Sequence, residues 1–150
     1  MKFITTGKEF HSKQSDGFRR LYGKKRVVMT EYNLKRAYDA ESPDDGFRVY
    51  VDKFWPRGLS REDFNYNLWD KDIAPSTELR EWFHADPDGR WAEFERKYMA
   101  ELKANPAFEA LKKLLATKAV VTLIYSSRNE RENNAVVVYH ALDPDYENIS

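Results

Sequence analysis

Apolar residues change their spacing along the chain, and each spacing predicts a type of element. Residues 27–38 and 47–54 are rich in β-branched and aromatic side chains, which favours two strands. The acidic segment between them contains Pro43 and Gly46 and is typical of a loop. The uninterrupted apolar run at 119–125 is typical of a central strand that is covered on both faces.

A helical period appears after residue 75. Ser76 predicts the N-cap of a first helix, whose apolar stripe has the spacing i, i+3, i+4. Asp88 is predicted to cap a second helix with an apolar, largely aromatic stripe over 91–102. Asn105 and Pro106 suit the cap and first position of a third helix. We expect an irregular segment at 66–74, between the strands and the helices.

Residues 133–142 carry signals for two types of element. The three consecutive valines at 136–138 favour a strand, whereas the acidic loop before them suits the start of a helix. We predict a helix. The resulting order of strand, strand, three helices, strand and helix predicts an α/β single domain, with a mainly parallel sheet of few strands flanked by helices. We place this domain at 27–142, after an N-terminal extension at 1–26 and before a tail at 143–150.

Composition narrows the class of protein further. Apolar residues make up 41% of the 150 residues and aromatic residues 15%, as in a packed globular domain. The absence of cysteine excludes disulfides and thiolate catalysis. The three histidines are too scattered for a zinc pattern, so we expect no metal and no cofactor. Because we find neither a membrane-length apolar run nor a hydrophobic signal segment, we expect a cytoplasmic location and no membrane partner.

Charge is distributed unevenly although the formal net charge is zero. Residues 1–26 contain eight basic and two acidic side chains, so the remaining chain is acidic overall. A basic arm of this kind can contact the phosphates of a nucleic acid. It can equally lie on the acidic body of its own domain or of a neighbouring subunit. The sequence leaves these alternatives and the oligomeric state open.

Four motifs, in this order, closely resemble the YeaO-like proteins, a bacterial family of unknown function. They are FRVYVDKFWPRGL, WDKDIAPSTELREWFH, YMAEL and VTLIYSSRN. The resemblance covers roughly residues 35–142 and implies a small cytoplasmic α/β domain without an agreed activity. The family pattern usually has Lys at the position of Arg128, and often His at Asn134 or its neighbour. This chain departs from the family at both positions.

The run 47–58 carries charged side chains to the end of a strand, just before a Pro-Gly turn. In α/β proteins such strand ends commonly form sites. Arg57 offers a planar fork for phosphate or carboxylate, and Trp55 a face for stacking. The structural alternative is an Asp52–Arg57 ion pair that fixes the turn, with Trp55 as a core residue.

Two further segments are predicted to open onto the same edge of the sheet. One is the end of the first helix, where Arg80 and His84 lie four residues apart; His84 can instead simply bond a last-turn carbonyl. The other is the loop that begins at Ser126 and carries Arg128 towards the start of the last helix, where free N–H groups favour anions. No G-x-S-x-G motif surrounds Ser126, so we reject a serine hydrolase.

Together these side chains predict a site for an anionic small molecule, such as a nucleotide or an organic phosphate. The ligand-binding residues would be Trp55, Arg57, Arg80, Ser126 and Arg128. If the protein is an enzyme, Asp52 or His84 would perform the acid–base step. The alternatives are a nucleic-acid-binding or regulatory module that uses the basic arm, and a structural domain whose polar groups pair only with one another.

Overall fold

The described part of the chain forms a sheet of four parallel strands. In the computed structural model, which describes residues 29–145, these are β1 (Glu31–Arg36), β2 (Phe47–Tyr50), β3 (Leu68–Trp69) and β4 (Val120–Tyr125). Their order across the sheet is β1-β4-β2-β3, so the last strand in the chain lies between the first two. The predicted α/β class, the parallel sheet and the central position of 119–125 are therefore confirmed.

Within residues 29–145, four helices accompany the sheet: α1 (Thr77–Ala85), α2 (Pro87–Lys103), α3 (Pro106–Leu115) and α4 (Asn134–Leu142). Ser76 caps α1 by accepting a bond from the Leu79 amide, and the Asn105 side chain caps α3. Both caps are as predicted, and residues 134–142 form the predicted helix. The prediction that Asp88 caps the second helix is wrong. This helix already begins at Pro87, because the fixed φ of proline suits the first helical position.

Both faces of the sheet are covered, but by different structures. Side chains of all four helices form one apolar core with alternate residues of the strands, including Val49, Val121 and Leu123. On the opposite face, Tyr50 and Ile124 pack against Phe64 and its neighbours in the long segment that follows β2. The helices therefore share one face of the sheet, and an aromatic-rich connection covers the other.

The prediction that residues 66–74 are irregular is wrong in part. Leu68 and Trp69 pair with Val49 and Tyr50 as a short edge strand. A single 3-10 turn, Lys71–Ile73, follows it. A two-residue strand has too few positions to show an alternating pattern, and it forms here because β2 offers a free edge. The predicted extension at 1–26 lies outside the described residues, so the predicted domain boundaries remain predictions.

Candidate functional site

A cavity of about 960 Å³ opens at the carboxyl edge of the sheet, where β2 and β4 end side by side. Its walls come from the ends of β1, β2 and β4, from α1 and from the start of α4. The lining includes all seven residues that were predicted to form the site, namely Asp52, Trp55, Arg57, Arg80, His84, Ser126 and Arg128. The parallel strand arrangement brings these residues together, and their functional roles remain predictions.

Asp52 lines this cavity and is held in place by hydrogen bonds. Its Oδ2 atom accepts bonds from the Ser126 hydroxyl and, at 3.1 Å, from the Ser126 amide. The Tyr50 hydroxyl donates to the Phe54 carbonyl at 2.7 Å and lies 3.4 Å from the same Asp52 oxygen. Burial, and next the charge of Asp52, raise the pKa of Tyr50 well above its usual value, so Tyr50 is a neutral donor. The second oxygen, Oδ1, is shielded from solvent and has no hydrogen-bond partner in the described residues.

The ion pair between Asp52 and Arg57 that the structural alternative requires is absent within residues 29–145, and Asp52 accepts bonds from Ser126 instead. The Arg57 side chain makes no hydrogen bond or ion pair with any described residue. The same holds for Arg128. Both residues line the cavity and are exposed.

Arg36, at the end of β1, was not among the predicted site residues. Its Nε donates to the carbonyl of Ser127 at 2.8 Å and a terminal nitrogen lies 3.4 Å from the carbonyl of Ser126. The guanidinium carbon lies 4.7 Å above the ring of Tyr38, whose hydroxyl donates to the Arg57 carbonyl at 2.6 Å. Arg36 and Tyr38 therefore brace both loops that carry exposed arginines.

Arg80 reaches the cavity from the middle of α1. Its guanidinium carbon lies 5.0 Å from the ring centre of Phe54, which is 58% exposed. The Nε atom of Arg80 is buried and has no hydrogen-bond partner in the described residues. His84 is exposed one turn further along the helix, where it contacts the ring of Phe83. Arg80 is thus the deepest of the arginines that were predicted to bind a ligand.

Trp55 has a more structural position than the stacking role predicted for it. Its indole nitrogen donates to the Leu59 carbonyl at 2.7 Å, and its ring packs edge-on against Phe64, Tyr66 and Trp69. It borders the cavity as part of this aromatic cluster. The alternative that Trp55 is a packing residue therefore accounts for its contacts.

Sequence reasoning missed several other lining residues, including Lys53, Phe54, Glu132 and Asn133. Asn133 caps α4 through the Val136 amide, and the Asn134 amide group donates to the Val51 carbonyl at 3.2 Å. The start of α4 is thereby fixed against the end of β2, which adds the positive end of a helix to this wall. Applying the strand-end rule to β1 as well would have found Arg36 and Tyr38.

The charges around the cavity do not balance. Five cationic side chains line it: Arg36, Lys53, Arg57, Arg80 and Arg128. Two carboxylates, Asp52 and Glu132, lie among them, and one of these already accepts bonds from Ser126. A concave surface with this excess of positive charge attracts anions. Arginine in particular presents paired donors that fit phosphate or carboxylate groups.

The fold and this arginine-lined edge define a small α/β domain with a ligand-sized cavity, and sequence comparison identifies its family. Residues 31–150 match the family described as the inactive DUF488-N3 subclade, and the chain belongs to that family. It is 40% identical to the uncharacterized protein YeaO of Escherichia coli, over 69% of this chain and 90% of the relative. It is also 40% identical to the uncharacterized protein Rv3073c of Mycobacterium tuberculosis, over 78% and 98%.

These relatives confirm the resemblance to YeaO-like proteins. No solved structure matches the chain. Among the described residues, no helix has the length and apolar character needed to span a bilayer. The same residues contain no group of three or more His, Asp or Glu side chains placed to hold a metal ion.

Proposed function

We propose that the protein binds an anionic small molecule, such as a nucleotide or an organic phosphate, in the cavity at the carboxyl edge of the sheet. The observation that carries this proposal is the convergence of Arg57, Arg80 and Arg128, none of which forms an ion pair within the described residues. Such an excess of positive charge around a concave surface attracts anions. The cavity is also large enough for a nucleotide.

The proposed role is binding without turnover. The matching family is described as an inactive subclade, which supports a ligand-binding role rather than catalysis. The two predicted acid–base residues also differ in their surroundings. Asp52 is committed to Ser126, whereas His84 is exposed on α1. The protein would act in the cytoplasm, as its composition suggests, by sensing or carrying its ligand.

Isothermal titration with inorganic phosphate, pyrophosphate and a panel of nucleotides tests this proposal. We expect at least one of these anions to bind the wild-type protein. The double variant Arg57→Ala, Arg128→Ala should weaken that binding by at least about tenfold, since each charge-assisted hydrogen bond contributes about 1.5–3 kcal/mol. Both side chains are exposed, so their loss should leave the fold intact.

A charge-matched control is the double variant Arg96→Ala, Lys113→Ala, whose side chains are exposed outside this cavity. It should bind the anion as the wild type does. An equal loss in both double variants would show that only the net charge matters and would refute a defined site. If instead labelled DNA or RNA binds, with a steep salt dependence that disappears on deletion of residues 1–26, the protein is the nucleic-acid-binding module of the alternative hypothesis.

A further inference from the structure

Two buried polar atoms in the walls of the cavity have no hydrogen-bond partner among residues 29–145. One is the acceptor Oδ1 of Asp52 and the other is the donor Nε of Arg80. Both atoms are shielded from solvent. Buried polar groups in native proteins are nearly always paired, so an unpaired acceptor and an unpaired donor bordering one cavity require an explanation.

Asp52 cannot turn freely to find another partner. The Ser126 amide and hydroxyl both donate to its other oxygen and so restrict the orientation of the carboxylate. The carbonyl of the same residue accepts from the indole nitrogen of Trp69 at 2.7 Å. The position of Oδ1 is therefore set by the fold, and a carboxylate oxygen in this position is a strong acceptor for a hydroxyl group.

We infer that the ligand of this cavity is a phosphate ester that also carries a hydroxyl group, which donates to Oδ1 of Asp52 while its phosphate contacts the arginines. This inference rests on the proposed function and adds the second chemical group of the ligand. Sugar phosphates, polyol phosphates and the ribose of a nucleotide belong to this class. The acceptor needed by Arg80 Nε is supplied by the same ligand, through its phosphate or through the hydroxyl oxygen.

Both atoms are shielded from solvent, so the proposed contacts require side-chain movement at the cavity wall. Phe54 packs against Arg80 and is more than half exposed, so an outward turn of its ring is the movement that the inference requires at Arg80. The carboxylate of Asp52 and the side chain of Arg80 would contribute to binding of the same ligand in different ways. The first selects the hydroxyl group by position, and the second adjusts to the phosphate.

Two phosphate monoesters with the same three-carbon chain test the inference. Glycerol 3-phosphate carries two hydroxyl groups, whereas n-propyl phosphate carries none. In isothermal titration of the wild-type protein, we expect glycerol 3-phosphate to bind at least about tenfold more tightly, as one hydrogen bond to a charged group allows. In Asp52→Ala this preference should fall below about threefold, while n-propyl phosphate binds at least as well as before, because a negative charge has been removed.

The outcomes separate this inference from the proposed function. If the two esters bind the wild type equally, the hydroxyl contact is refuted although the anion site stands. If neither ester nor any other phosphate binds, the proposed function fails as well. The Arg57→Ala, Arg128→Ala variant should weaken both esters by the same factor. The comparison of the two esters in the wild-type protein tests the preference for a hydroxyl group even if Asp52→Ala does not fold.

Discussion

Asp45 is the centre of a polar cluster on the face of the sheet that the helices do not cover. Its carboxylate contacts Arg48 at 2.6 Å and Lys35 at 3.0 Å, and its carbonyl accepts from Thr122 at 2.7 Å. Burial opposes ionisation of this group, but hydrogen bonds from the Ser42 amide, Lys35 and Arg48 outweigh it and lower the pKa of Asp45. Arg48 is almost fully buried, so its charge depends on this partner.

Replacing Asp45 by alanine should therefore lower the free energy of unfolding by about 3 kcal/mol, because it leaves the Arg48 guanidinium buried and unpaired. Urea denaturation at pH 7 measures the change. The matched control is Asp44→Ala, one residue earlier and exposed, which should shift stability by less than about 0.5 kcal/mol. A similar loss in both variants would mean that the turn, rather than the buried pair, is the source of stability.

We expect Tyr38 to affect ligand binding only by positioning Arg57. The Tyr38 hydroxyl donates a hydrogen bond to the Arg57 carbonyl. The substitution Tyr38→Phe removes the hydroxyl and keeps the ring on which Arg36 stacks. We predict that it weakens phosphate binding by about threefold to tenfold by loosening the Arg57 loop, an effect of about 1 kcal/mol. Hydrogen exchange should quicken in 53–58 and remain unchanged in 126–130.

A double-mutant cycle gives the control for this prediction. In a protein that already carries Arg57→Ala, the further change Tyr38→Phe should have no effect on phosphate affinity, because the positioned group is gone. Full additivity of the two substitutions would contradict the bracing role. It would indicate that the Tyr38 hydroxyl contacts the ligand directly.

Local signals determine some elements of this fold, and contacts with the rest of the molecule determine others. The caps Ser76 and Asn105 and the apolar run at 119–125 could be identified from sequence, since each depends on neighbouring residues alone. β3 could not, because its two residues become a strand only by pairing with β2. The cover formed by 51–67 likewise depends on which face of the sheet the helices leave open.

The same distinction applies to the candidate site. Its seven predicted residues were found because parallel strands place their ends at one edge, which follows from the predicted order of elements. The roles of Arg36 and Tyr38 depend on hydrogen bonds to residues far away in the chain, up to 91 positions for Arg36 and Ser127. No local pattern indicates such a contact. The unpaired state of Asp52 Oδ1 is likewise visible only in three dimensions.

Gly46 allows β2 to start close to β4. Its φ of +64° is rare for other residues, and a Cβ atom at this position would lie 2.4 Å from the Val120 carbonyl oxygen. Gly46→Ala should thus lower the free energy of unfolding by at least about 2 kcal/mol, from backbone strain together with displacement of β4. Chemical denaturation provides the measurement.

Gly58 offers the matched comparison for Gly46. It also has a positive φ, +86°, but no described atom lies within 4 Å of the place that a Cβ atom would occupy. Gly58→Ala should therefore cost only the backbone term, about 1 kcal/mol. If the two alanine variants lose the same stability, the close approach of Gly46 to β4 has no energetic consequence.

At the scale of the whole molecule, burial of tyrosine links stability to alkaline pH. Burial is the largest cause of a raised pKa at five tyrosines in the described part of the chain: Tyr32, Tyr50, Tyr98, Tyr125 and Tyr139. In each case the folded state retains its proton at a pH where the unfolded chain has lost it. Stability should accordingly fall as the pH rises above about 10, where unfolded tyrosine ionises.

Tyr125 provides a single-residue test of this linkage. Burial, and next the charges of Glu130 and Asp39, raise the pKa of Tyr125 from 10.0 to about 12, and its hydroxyl forms no hydrogen bond with the described residues. Its contribution is present in full below pH 10 and is lost as the pH rises towards 12. At pH 11 this loss is about 1.4 kcal/mol relative to pH 8.

The substitution Tyr125→Phe removes the ionisable group and keeps the packed ring, so it should change stability by less than about 1 kcal/mol at pH 8. At pH 11 the variant should lose about 1.4 kcal/mol less than the wild type, because it no longer has a proton to retain. Urea denaturation at the two pH values measures both quantities. Parallel losses in the wild type and the variant would show that Tyr125 ionises as readily in the folded protein as in the unfolded chain.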